Sequence, residues 1–197
     1  MGVAGPTKVS VVVCTYNHEP FIDHALASVL GQDTSFAVEV VVSEDCSTDA
    51  TRDIVQRWRD EHPDRIRLVL SERNLRSNEV VARGFRAATG EYVALLDGDD
   101  YWTSPHKLQR QADFLDQHPE YALCFHDAEV VDDAGRSIDG RRWTPANQKT
   151  RSTLEDIWFG NFIATCSTMF RKRALPEIPA WYADFFPITD WPLYILY

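Results

Sequence analysis

Three observations in this 197-residue sequence predict an α/β domain with a mainly parallel central sheet flanked by helices. Continuous apolar, β-branched runs alternate four times with segments of helical periodicity, and such runs read as strands buried on both faces. Each connection is long enough for a right-handed crossover helix. Polar and acidic residues gather where the runs end, at the carboxyl edge where open α/β sheets bind ligands.

The elements follow in order. Residues 9–14 are β-branched and predict the first strand, followed by the polar loop 15–20. Apolar residues at helical spacing (Phe21, Ile22, Ala25, Leu26, Val29, Leu30) predict a helix that stops at Gly31. Residues 38–43 predict the second strand. Ser47 or Thr48 is the expected N-cap of a helix running to about Glu61, with Asp49 in its first turn and Pro63 closing it. Residues 66–70 predict the third strand, 78–89 a helix ended by Gly90, and 91–96 the fourth strand. Pro105 opens a helix to Gln117. Residues 122–125 and 128–131 are strand-like, and the turn at 132–135 predicts a hairpin over about 128–139. Residues 136–151 predict a long polar loop, 154–159 a short amphipathic helix, 165–170 a strand, and the apolar run after Asp190 a final helix. No linker divides the chain, so one domain is expected over 1–197. The sequence stops inside the apolar run 191–197, which reads as a truncated product or fragment.

Composition narrows the function classes. The chain is 44% hydrophobic and 25% charged with a net charge of −10, which argues against nucleic acid as the main partner and against loose docking on anionic lipid. The four cysteines lie far apart with no C-x-x-C pair, pointing to a reducing, cytoplasmic setting and no zinc site. No run approaches the ~18 apolar residues of a membrane span. The first eight residues lack the apolar core of a leader, and Gly2 lacks the Ser or Thr that myristoylation requires, Pro6 standing there instead.

The most informative stretch is Asp97-Gly98-Asp99-Asp100, directly after a buried strand. Carboxylates so close repel and raise one another's pKa unless a cation sits between them. Hard ions such as Mg²⁺ take oxygen ligands and keep positions open for substrate phosphates. The stretch therefore reads as a site for a metal-bound phosphorylated ligand, the plain alternative being a solvated acidic turn.

Three strand-end motifs coincide in order and spacing: Val-Val-Val-Cys-Thr15-Tyr16-Asn17, then Val-Val-Ser-Glu44-Asp45-Cys-Ser47-Thr48-Asp49, then Gly90 through Leu-Leu-Asp97-Gly98-Asp99-Asp100. Together they resemble family 2 glycosyltransferases. The similarity is close over residues 8–102 and looser through Lys107-Leu108 and the Asp190 region. The resemblance implies a Rossmann-like nucleotide-diphospho-sugar transferase fold, with the nucleotide sugar bound over about 8–102 and the acceptor over about 103–197. It implies an inverting transfer of a sugar from a UDP- or dTDP-type donor to an acceptor hydroxyl, with Mg²⁺ or Mn²⁺, in polysaccharide or glycoconjugate synthesis. The acceptor is a carbohydrate, a lipid-linked molecule or a protein, and the setting is cytoplasmic or peripheral at the inner membrane face. The alternatives are a nucleotide-sugar-binding fragment without turnover and a phosphoryl-transfer protein; the position of the D-x-D after the fourth strand disfavours the second.

Roles are carried over residue by residue. Thr15, Tyr16 and Asn17 line the nucleobase pocket, where an aromatic face suits base stacking. Asp45 accepts an imide N–H of the base, with Glu44 beside it where the family often has a second Asp. Asp97 bonds ribose or water and shares the metal with Asp99. Gly98 lets the backbone approach the ligand. The family's Arg and Asn after the third strand are Val81 and Ala82 here, so Arg76 or Arg83 is the candidate replacement cation. Asp190 stands at the family's catalytic base, with Thr189 where a partner acid is usual, and it also reads as a helix N-cap. The six histidines show no metal-ligand spacing and read as surface or packing residues.

Overall fold

The computed structural model describes residues 6–174 and 177–197; Gly2 lies outside them. A six-stranded sheet runs in the order β3-β2-β1-β4-β8-β5. Its parallel half consists of β1 (Val9–Thr15), β2 (Val38–Glu44), β3 (Ile66–Leu70) and β4 (Tyr92–Asp97). Here β1 pairs with both β2 and β4, so Cys14 lies in register with Ser43 and Asp97. The strand order reverses at β1, between the β2 and β4 sides. That switch point is where such sheets open a crevice.

The β-branched runs are strands because both faces are covered. Val11 and Val13 pack on one side with α1 (Ile22–Leu30), α2 (Thr51–Glu61) and α4 (Lys107–Gln117). Val12 and Val41 face the other side, against α3 (Glu79–Ala87), α5 (Leu154–Trp158) and α6 (Asp190–Leu196). Alternate residues of one strand thus feed two cores.

The sheet is mainly parallel, as expected, and β8 (Met169–Arg171) extends it antiparallel to β4 and to β5 (Leu123–Cys124). Three expectations are corrected. The expected strand at 165–170 begins as a 3₁₀ turn, Thr165–Ser167. The loop expected over 136–151 starts as a strand, because β7 (Ser137–Arg142) pairs with β6 (Glu129–Val131) in a separate ribbon. Ser47 and Thr48 do not cap α2, whose N-cap residue is Ala50; Asp49 accepts from the Thr51 N–H instead. Ser47 and Thr48 tie the β2 loop to the β1 loop, with Ser47 Oγ accepting from Asn17 N at 3.0 Å and Thr48 N donating to Asn17 Oδ1 at 2.8 Å. Asn17 takes φ 54° to do so, a left-handed conformation that Asn tolerates better than most residues.

No helix of the described residues is long and apolar enough to cross a membrane.

Candidate active site

The ends of β1, β2 and β4 bring the three sequence motifs side by side. Thr15 is buried and its carbonyl accepts from Asp45 N at 3.0 Å. The Asp45 carboxylate receives Leu75 N at 2.9 and 3.1 Å, which folds the post-β3 loop over the β2 end. Tyr16 stays 39% exposed, leaving its ring accessible. Arg76 is exposed in the same loop, at φ 45°.

Two predicted nucleotide contacts have other partners here. Glu44 is fully buried; it receives Arg52 Nε at 2.6 Å and Ser47 N at 2.5 Å. Arg83 donates to Ser71 Oγ at 2.9 Å and to the Leu70 carbonyl at 3.0 Å, bracing the end of β3. Both side chains hold the edge together. The sequence could not show this, because the Arg52, Ser71 and Leu70 partners lie eight or more residues away.

Next along the edge, Gly98 packs where no larger residue fits: a Cβ there would stand 2.6 Å from Thr15 Oγ1 and 2.7 Å from His18 Nδ1. Beyond it opens a cavity of about 730 Å³ that gathers Asp97, Asp99, Asp100 and Asp190. Burial and the charges of Asp100, Asp99 and Asp190 push the Asp97 carboxyl up to about 8. Burial and Asp99 likewise raise Asp100. Such a cluster needs positive charge to ionise fully, and no Lys or Arg lines the cavity.

Among the described residues no three His, Cys, Asp or Glu side chains converge as a complete metal cage. Mg²⁺ or Mn²⁺ at such an edge would be held by one or two carboxylates, with substrate phosphates supplying further oxygens. Asp97 and Asp99 have the right chemistry for it.

Asp190 is the first residue of α6 rather than its N-cap, which is Thr189. Its Oδ1 accepts from Trp191 N at 2.7 Å and its Oδ2 from Asn161 Nδ2 at 2.8 Å. Sequence reading missed three neighbours. Asn161 orients Asp190. His18 sits 3.3 Å from Thr15 Oγ1, with its Nε2 3.8 Å from Asp99. His24 stacks on Tyr101 at 4.0 Å between ring centroids. Only the histidines carried a visible signal, flanking the loop after the first strand.

A sequence profile of glycosyl transferase family 2 matches residues 10–178. An uncharacterized protein of Mycobacterium tuberculosis is 36% identical over 95% of this chain and 53% of its own length. The putative teichuronic acid biosynthesis glycosyltransferase TuaG of Bacillus subtilis is 40% identical over 84% of the chain and 62% of its own length. The structure of Staphylococcus aureus TarS in complex with UDP aligns with a TM-score of 0.67 and 28% identity, covering 86% of this chain and 48% of TarS. A mannosyltransferase from Pyrobaculum calidifontis, at 23% identity and a TM-score of 0.61, shares the fold. The chain thus spans about half the length of several of these relatives. With the family's strand-end motifs assembled at one sheet edge, the chain belongs to glycosyl transferase family 2.

Proposed function

We propose that this chain transfers a sugar from a UDP- or dTDP-sugar to an acceptor hydroxyl with inversion, in polysaccharide or glycoconjugate synthesis. The observation that carries the reading is the shared cavity of Asp97, Asp99 and Asp190, beside the Thr15–Asp45 edge. The TarS complexes with UDP and UDP-GlcNAc support a uridine donor.

In this reading Tyr16 stacks on the base and Asp45 accepts its imide N–H, while Asn17 shapes the loop. Arg76, exposed in the loop above, faces the nucleotide. Glu44 and Arg83 serve by bracing β2 and β3. Asp97 and Asp99 would hold Mg²⁺ or Mn²⁺, which supplies charge stabilisation to the departing diphosphate. Gly98 keeps the backbone close enough for ligand approach. Asp190, aimed by Asn161 and the Trp191 amide, takes the proton of the attacking hydroxyl. A general base has to reach that proton within about 3 Å, and the hydroxyl then attacks the anomeric carbon on the face away from the diphosphate. Four thiols, all unpaired, favour a reducing, cytoplasmic setting or a peripheral one at the inner membrane face.

The test is calorimetry of the chain with UDP, dTDP, ADP and their glucose conjugates, with Mn²⁺ and with chelator, followed by an assay of sugar transfer. Metal-dependent UDP or dTDP binding supports the reading; failure of every nucleotide sugar to bind overturns it.

A further inference from the structure

The β6–β7 ribbon is separate from the main sheet, yet it supplies one wall of the 730 Å³ cavity, from Ala128 through Gly135, with Trp143 just beyond it. Its base is clamped. Arg142 Nε donates to Asp127 Oδ2 at 2.6 Å, Thr144 N donates to Asp127 Oδ1 at 3.1 Å, and Trp143 N donates to the Ala128 carbonyl at 2.9 Å. The indole of Trp143 is therefore held on a fixed backbone while remaining 48% exposed. Tyr101 also lines the cavity, braced by its stack on His24, and its hydroxyl lies 3.6 Å from where a Cβ at Gly135 would stand.

Rigid aromatic faces beside oxygen acceptors are the chemistry that holds a pyranose ring: the C–H face packs on the ring and the hydroxyls donate to carboxylates. The charge of the wall then decides which pyranose. Seven carboxylates line the cavity with no Lys or Arg among the lining residues. Asp132 is matched by Arg136 at 2.8 Å, but Glu129, Asp133 and Asp190 have no such partner among the described residues. A divalent cation and a donor diphosphate offset each other, so these carboxylates still set the sign of the field.

We propose that the β6–β7 wall and Trp143 form the acceptor subsite, admitting a neutral or amine-bearing sugar and rejecting one that carries a carboxylate or phosphate. The rejection is a like-charge effect in a partly enclosed site, where Coulomb interactions exceed their strength in water. The inference rests on the glycosyl-transfer reading above.

The test uses the full chain and saturation-transfer NMR with methyl glycosides of the gluco, galacto and manno series. Each is offered as the neutral sugar, the 2-amino sugar, the 6-uronate and the 6-phosphate, with UDP affinity measured on the same samples. At least one neutral or amino sugar should bind ten times more tightly than its uronate and phosphate counterparts. Trp143→Ala should abolish that signal with UDP affinity and Tm unchanged. The double variant Glu129→Gln, Asp133→Asn should raise uronate affinity at least fivefold while altering the neutral sugar less than twofold. Equal binding of neutral and anionic sugars, no sugar bound at all, or an unaltered Trp143→Ala overturns the acceptor assignment while UDP binding stands. Absence of UDP binding overturns the glycosyl-transfer reading itself.

Discussion

Asn161 donates its Nδ2 to Oδ2 of Asp190 at 2.8 Å, joining the segment after α5 to the first turn of α6. The Trp191 amide holds the other carboxylate oxygen. The candidate base is thus aimed by two donors from different parts of the chain.

Asp190→Asn should keep UDP affinity and Tm while losing about 10²–10⁴-fold in turnover, the usual contribution of a general base. Asn161→Ala should lower kcat about tenfold at unchanged UDP affinity, because it removes aim rather than the base. Steady-state kinetics of both variants check this; undiminished turnover in Asp190→Asn refutes the assignment.

Asp99 is half exposed at the mouth of the cavity, so its removal should leave the fold intact. Asp99→Ala should abolish the Mn²⁺ enhancement of UDP binding without lowering Tm by more than a degree or two. Titration with and without chelator reads the result, and a persisting metal effect would place the ion elsewhere.

If Asp45 accepts the imide N–H of the base, as proposed, UDP should bind more tightly than ADP, since such a carboxylate discriminates against a base that lacks that donor. Asp45→Asn should erase most of that preference. Competition between the two nucleotides measures it directly.

Glu44 is fully buried against Arg52. Arg52→Met leaves that carboxylate unpaired, and breaking a buried pair costs ~3–5 kcal/mol. Because the Arg52 side chain is 28% exposed, water softens the loss to about the lower end of that range. Urea unfolding should show it, with UDP affinity of the folded protein unchanged; weaker UDP binding at full stability would mean that Glu44 contacts the nucleotide.

Lys107 is buried without a carboxylate partner, its Nζ donating to the Thr168 carbonyl at 3.2 Å and lying 4.0 Å over the Trp102 ring. Burial pushes its amine down to about 7 from 10.5. Between those values the unfolded chain holds a proton that the folded protein has released, so stability rises with pH across that window. Tm of the wild type relative to Lys107→Met should therefore climb from pH 7 to about 10. A constant difference would mean that the ring and carbonyl keep the amine charged.

Much of the fold was legible because its signals are local. A β-branched run such as Val11-Val12-Val13 specifies a strand buried on both faces wherever it lies. The D-G-D at residues 97–99, directly after an apolar run, marks a candidate ligand edge from three residues. The β6–β7 hairpin was legible through its turn at 132–135, but not the length of β7, because its polar, exposed residues carry no burial pattern.

Pairing across the chain was another matter. Nothing local says that β8 inserts antiparallel beside β4, with Val93 opposite Phe170, or that this carries the 164–166 turn and Asp190 to the acids of β4. Nor does a string of letters say that Glu44 is spent on Arg52 and Arg83 on Ser71. The sequence by itself determined the four parallel strands, the helices between them and which carboxylates end those strands, since periodicity and residue chemistry act over a few positions. The tertiary structure decided which of those charges line the open cavity and which are paired inside, because a charge must find its partner where burial removes it from water, and that partner is chosen by the packing of the whole chain.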